Sequence, residues 1–244
     1  MRGRKMELCM CKKNAAGLTA CGLKNLAVAA MLFDHFIAVF WQGNEVAGLL
    51  LRIPGRIVAP IMCYMIAQGF YRTSNVKKYL ARLLLFAALS HFPYVFYFEL
   101  PWWRATGVIW SLFLGLLSLT IARHTRLPFL VKAAGIFLCC LLAYPADWNY
   151  IAVLWILFFG LFHEQWEKQA ICFAAIGILF LILPAFRQGG LNPLVCSGIF
   201  LALPLIRRYN GQRGAGGRIA KWGFYIFYPA HLIALELLKL ALGV

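Results

Sequence analysis

Leu23-Lys24-Asn25-Leu26-Ala27-Val28-Ala29-Ala30-Met31-Leu32-Phe33-Asp34-His35-Phe36-Ile37-Ala38-Val39-Phe40-Trp41 decides the fold. A helix of this length spans close to the roughly 30 Å hydrocarbon core of a bilayer. Asp34 and His35 interrupt its apolar part. An aspartate at that depth costs about 2.5–3.5 kcal/mol on insertion scales, so such a group faces a bundle interior, a wet cavity or a partner. The pair is therefore a functional-site candidate from the outset.

The rest of the chain agrees with a membrane reading. Of 244 residues, 63% are hydrophobic and 13% charged, against about 25% charged in a soluble domain. An ordinary soluble globular protein is excluded. No Ser/Pro-rich linker, low-complexity run or long-period repeat divides the chain. The N-terminal basic stretch followed by an apolar run resembles a signal peptide, but the run is longer than the usual 7–15 residues. It is read as an uncleaved first helix. Five of the eight cysteines fall in expected spans, where a free thiol acts as a small buried hydrophobe. Cys9, Cys11 and Cys21 fall in a basic head expected to be cytoplasmic and reduced.

Apolar runs separated by charged breaks predict nine helices. They cover about 23–41, 55–71, 79–98, 106–122, 129–144, 149–163, 169–186, 191–206 and 219–242. The sixth is short enough to be tilted, half-buried or re-entrant. The fold class is all-α, a polytopic transmembrane bundle. A basic extension, 1–21, precedes a transmembrane domain, 22–244. Counting Lys and Arg on alternating sides places nineteen of the twenty-four with the N-terminus. The other five are Arg52, Arg56, Arg104, Arg187 and Lys239. This asymmetry predicts a cytoplasmic N-terminus and an outer C-terminus, and the bacterial inner membrane is what the family resemblance given below implies. The asymmetry also accounts for the net charge of +16 as orientation and anionic-lipid contact, and nucleic-acid binding is set aside.

With that topology Asp34, His35, Arg56, His91 and His231 occupy one depth zone, from the middle of the membrane to its outer half. Neighbours on a helix point about 100° apart, so Asp34 and His35 each need a partner on another helix. Arg56 is the expected partner of Asp34, because guanidinium keeps a buried carboxylate ionised. His35 then stays neutral, as a general base requires. Arg52 and Arg56, four apart on one face, flank Pro54 and either bind an anionic group or border the headgroups. Tyr228 and His231 share a face, with Pro229 between them to kink the helix. No ligand spacing marks a metal site. The connection carrying Arg207, Arg208, Arg213 and Arg218 is basic and Gly-rich. It suits phosphate groups, or serves only as a flexible positive-inside loop. It lacks the ending of a P-loop.

Several strings together resemble one family. They are Leu32-Phe33-Asp34-His35, Leu51-Arg52-Ile53-Pro54-Gly55-Arg56-Ile57-Val58-Ala59-Pro60, and the stretch Gln68-Gly69-Phe70-Tyr71-Arg72 continuing to Tyr79. Ala146-Asp147-Trp148, Tyr209-Asn210-Gly211-Gln212-Arg213-Gly214 and Phe227-Tyr228-Pro229-Ala230-His231-Leu232 complete them. In this order they resemble the TraX family, named for F-pilin acetylase, from about residue 22 to 240. The resemblance implies a conjugation-related integral membrane acyltransferase. Such an enzyme moves acetyl from acetyl-CoA to the N-terminal amine of a pilin subunit, or to another acceptor such as an envelope glycan.

On that reading His35 is the base, Asp34 its orienting or charge-balancing neighbour, and His91 and His231 further catalytic residues. Arg56, with Arg52 and Tyr228, contacts substrate or oxyanion. Arg207, Arg208, Arg213 and Arg218 hold CoA phosphates. Two other readings fit the same intramembrane charges: a proton-coupled transporter or lipid flippase, and a non-enzymatic membrane assembly factor.

Overall fold

The computed structural model describes residues 17–103, 106–215 and 217–243, apart from the side chains of 217–221. Arg104, Cys9, Cys11 and the side chain of Arg218 lie outside the described residues. The described chain is helical, with no strand and with isolated bridges only at Leu18–Tyr209 and Thr106–Ala146.

The helices follow the predicted apolar runs. They are α1 (Ala20–Phe40), α2 (Glu45–Arg72), α3 (Val76–Tyr97), α4 (Val108–Arg123), α5 (Phe129–Leu142), α6 (Asn149–Leu161), α7 (Trp166–Gln188), α8 (Asn192–Arg207) and α9 (Gly217–Leu242). Five of them, α1, α2, α3, α7 and the Trp222–Leu242 part of α9, are long and apolar enough to cross a membrane. The protein is a membrane protein built as a helical bundle.

Local chemistry sets the ends. Thr19 caps α1 by accepting the Gly22 N–H at 3.1 Å, and Asn75 caps α3 through the Lys78 N–H at 2.9 Å. In α2 the run breaks where Arg52 closes a first helical segment, Glu45–Leu51. Pro54 then opens a 3₁₀ turn, Pro54–Ile57, because it brings no N–H to a helix already under way. The sequence reading began the second helix only at residue 55 and missed that first segment. In α7, Ile178–Ile182 is a π turn just before Pro184, where the missing N–H and the ring push the ladder to wider spacing.

The short α6 is the centre of the bundle. Trp155 and Phe159 are each 1% exposed and Ile156 0%, as expected of a helix apolar all round. It packs against α2, α4 and α7. Gly115 of α4 admits Ile156 and Gly160 of α6 admits Leu119, with no room for a Cβ at either. Arg123 donates to the Gly160 and Leu161 carbonyls at 3.1 and 2.9 Å, satisfying the end of α6. By contrast α5 buries only Cys139 and exposes Phe129, Leu130, Phe137 and Leu141, a lipid-type face.

Two seams close the bundle. At the end where α1 begins, hereafter the basic end, residues 17–21 zip onto the loop after α8. Leu18 N–H donates to Arg208 O at 2.8 Å, Asn210 N–H to Leu18 O at 2.9 Å and Cys21 N–H to Arg213 O at 3.0 Å. At the opposite end the chain before α4 zips onto the α5–α6 loop. There Thr106 N–H donates to Pro145 O, and Asp147 N–H to Thr106 O, both at 3.0 Å. Lys239 of α9 also bonds Glu99 there and holds its carboxyl below the usual carboxylate value.

Candidate functional site

Asp34 and His35 have partners on separate elements, as their 100° offset requires. Asp34 meets both arginines. Arg52 Nε is 3.1 Å from Oδ1 and Nη2 3.3 Å from Oδ2, while Arg56 Nη2 is 3.6 Å from Oδ1. The expected partner was Arg56; the closer one is Arg52, because the 3₁₀ turn swings both guanidiniums toward α1. The approach depends on Gly55, whose Cβ would lie 2.5 Å from Asp34 Cβ. Among the described residues, Arg56 Nε is buried without a hydrogen-bond partner.

His35 Nδ1 lies 2.9 Å from His231 Nε2, and His231 Nδ1 lies 2.9 Å from Phe227 O. A carbonyl only accepts, so His231 Nδ1 carries the hydrogen. With both rings neutral, His231 Nε2 is the acceptor and His35 Nδ1 the donor. His35 Nε2 is then the unprotonated nitrogen, and it has no hydrogen-bond partner among the described residues. Tyr97 holds the same turn of α1 by donating its hydroxyl to His35 O at 2.7 Å. The His35 ring also meets Phe98 edge-on, with centroids 5.4 Å apart.

Tyr228 is one turn below His231, with ring centroids 5.6 Å apart. Its hydroxyl accepts the Val108 N–H at the start of α4. Gly107 allows this closeness, since a Cβ there would be 3.1 Å from Tyr228 Oη. The neighbouring loop brings Asp147 within electrostatic reach of Arg56, Asp34, Arg52, Tyr94 and Tyr228. The protein packed around it pushes the Asp147 carboxyl above the usual carboxylate value, with Arg56 pulling the other way. The residue is exposed to solvent on its other side.

Two cavities that share lining residues run from the basic end toward this site, and the second reaches Tyr228. The first, about 560 Å³, is lined by Lys24, Arg72, Arg82 and Arg213 and by no acidic side chain. It shares Lys24, Met65, Tyr79, Phe224 and Tyr225 with a narrow apolar channel of about 80 Å³. The channel walls climb toward the site on four helices at once. Ala27, Val28 and Met31 precede His35 on α1, and Tyr225 and Tyr228 precede His231 on α9. Met65, Met62 and Val58 lead back to Arg56 on α2, and Leu112, Ile109 and Val108 to Gly107 before α4.

The structure thus gathers Asp34, His35, Arg52, Arg56, Tyr228 and His231. It leaves His91 apart: that ring meets Phe92, and no hydrogen bond or ion pair joins it to His35 or Asp34. His91 is six residues from Tyr97, about 9 Å along the helix axis, and so sits too deep. Of the loop arginines, Arg213 lines the basic cavity, while Arg207 and Arg208 are absent from its lining. Sequence reasoning missed Tyr97, Asp147 and the cations Lys24, Arg72 and Arg82. Arg72 and Asp147 stood inside strings already singled out, which was the available signal.

Residues 20–239 match the family model described as TraX protein. The chain is also 32% identical over 229 residues to the probable fimbrial assembly protein FimC, serogroup H1, of Dichelobacter nodosus, covering 87% of this chain and 92% of that one. No solved structure matches. A match across nearly the whole helical bundle, together with this relative, makes the chain a member of the TraX family.

Proposed function

We propose that the protein is a membrane acyltransferase that takes acetyl from acetyl-CoA at the basic end and passes it to an amine or hydroxyl acceptor at the opposite end. The observation that carries this reading is the His35–His231 pair, whose tautomers leave His35 Nε2 unprotonated one helical turn beyond Met31 and Tyr228, which line the top of a channel opening from a cationic cavity. CoA phosphates suit the four cations there. The pantetheine arm suits the channel, which delivers the thioester beside His35 and Arg56.

The chemistry follows from these groups. His35 Nε2 accepts the acceptor's proton as its nitrogen or oxygen bonds to the thioester carbon. Arg56, with donors unspent, stabilises the oxyanion that forms. The tetrahedral intermediate collapses, the carbon–sulfur bond breaks, and the CoA sulfur leaves with the proton from His35 Nε2. His231, bonded to the other nitrogen of His35, stabilises the transient imidazolium. Asp34 holds Arg52 and Arg56 in place. With nineteen cations on its side, the basic end is assigned to the cytoplasm of a bacterial inner membrane, where CoA is found. The relative's name, a fimbrial assembly protein, suggests a pilin-like acceptor.

The test is transfer of labelled acetyl by purified protein in proteoliposomes to amine and hydroxyl acceptors. Turnover that vanishes in His35→Ala supports the reading; wild-type turnover in His35→Ala overturns it. The same relative's name favours a second reading, a non-enzymatic assembly factor. That reading expects no CoA-dependent turnover in any preparation and loss of partner binding on substitution of Asp34.

A further inference from the structure

One charged group at the far side of the site is unused. Asp34 is committed to Arg52 and Arg56. Asp147 makes no ion pair or hydrogen bond through its carboxylate among the described residues, yet it stands within electrostatic reach of that same network. Its placement is enforced by backbone: Asp147 N–H is fixed on Thr106 O, and the next residue, Gly107, is against Tyr228 and Tyr94. Tyr228 in turn contacts His231. The carboxylate therefore joins the site from the side opposite the channel and is open to solvent there.

The two approaches differ in sign. Among the described residues the basic cavity has four cations and no acid in its lining. In the site itself Arg52 and Arg56 pair with Asp34, and the Asp147 carboxylate has no ion pair of its own among the described residues. A carboxylate without an ion-pair partner beside a packed protein wall is complemented by a cation.

We infer that Asp147 is the acceptor-side anchor: it receives the positive charge of a primary ammonium and so selects a cationic amine over an uncharged hydroxyl. This rests on the acyl-transfer reading. The ammonium carries one proton more than the nucleophile, and that proton leaves to solvent on the side where Asp147 is exposed. The second goes to His35 Nε2 during attack. Amide formation then consumes one thioester and releases one thiol and one proton.

The experiment compares wild type, Asp147→Asn and Asp147→Glu in detergent or proteoliposomes, using acetyl-CoA with a primary-amine peptide and with an uncharged alcohol of matched size. Asp147→Asn is expected to raise the peptide KM about tenfold or more, to leave the acetyl-CoA KM in place, and to erase the preference for the charged acceptor. Asp147→Glu is expected to recover part of that preference. An unchanged peptide KM in Asp147→Asn, or an equal loss with the alcohol, overturns the inference while acyl transfer stands. If wild type transfers acetyl to nothing, the function reading fails instead. The inference is then decided by calorimetric binding of the peptide amine: weaker binding by Asp147→Asn supports it, and equal binding overturns it. A thermal unfolding curve like wild type's, expected because the Asp147–Thr106 backbone bond survives, shows that the variant is folded.

Discussion

At the scale of single residues, two histidines have unlike jobs. In the proposed mechanism His231 orients His35 and its imidazolium, so His231→Ala should lower kcat by about 10²–10⁴-fold, the usual worth of base assistance. It should move the acetyl-CoA KM little, which initial-rate kinetics over both substrates would show. Asp34→Asn should act differently, by leaving two guanidiniums under-paired. Because the side chains of Arg52 and Arg56 are 30% and 25% exposed, the loss should be about 1–3 kcal/mol, below that for a fully buried pair. Thermal unfolding in detergent measures it. The Glu99–Lys239 contact has an acid limb of its own. Its contribution is present above the ordinary glutamate range and disappears as pH falls through the depressed Glu99 value. Glu99→Gln should flatten that limb in an unfolding-versus-pH series.

At the scale of elements, glycines determine how closely α1, α2, α4 and α6 approach. Gly55→Ala would drive a methyl into Asp34, where neither the 3₁₀ turn nor α1 has slack. A loss of about 1–3 kcal/mol is expected from this overpacking, along with lower activity. Gly223→Ala is the control: nothing among the described residues lies within 4 Å of its added methyl, so it should be neutral or gain about 0.5–1 kcal/mol from helix propensity. The elements themselves were largely legible in the sequence, because apolar runs between charged breaks are the signature of spans. Glu45–Leu51 was not, since Arg52 and Pro54 read as a helix beginning rather than as a joint inside one. The π turn of α7 was equally hidden, because Pro184 announces a disturbance without giving its pitch.

At the scale of the molecule, the site was half legible. The cost of burying Asp34 and His35 drew attention to them, and the same argument found His231. It also pointed to His91, because cost alone does not fix depth. Tyr97 and Asp147 carried no such signal: a tyrosine near a span end and an aspartate in a loop are ordinary until the bundle closes. Lys24, Arg72 and Arg82 were lost among nineteen cations whose common explanation was orientation. They supply the whole-molecule prediction: Arg72→Ala or Arg213→Ala should raise the acetyl-CoA KM about tenfold, more at low ionic strength than at high. With Cys21 as the sole cysteine, CoA should slow its labelling by a membrane-impermeant thiol reagent, because Cys21 lines the same cavity.

His35 and His231 are separated by 196 positions along the chain, and residues 17–21 are pinned by a loop that follows α8. A ribosome therefore releases the first helix long before either of its clasps has been synthesised. The nascent protein carries an unpaired imidazole and an open cationic pouch until its last helix arrives. Chains stalled before residue 208 should insert yet hold neither donor nor acceptor, so the proposed activity should not appear before α9 has been made.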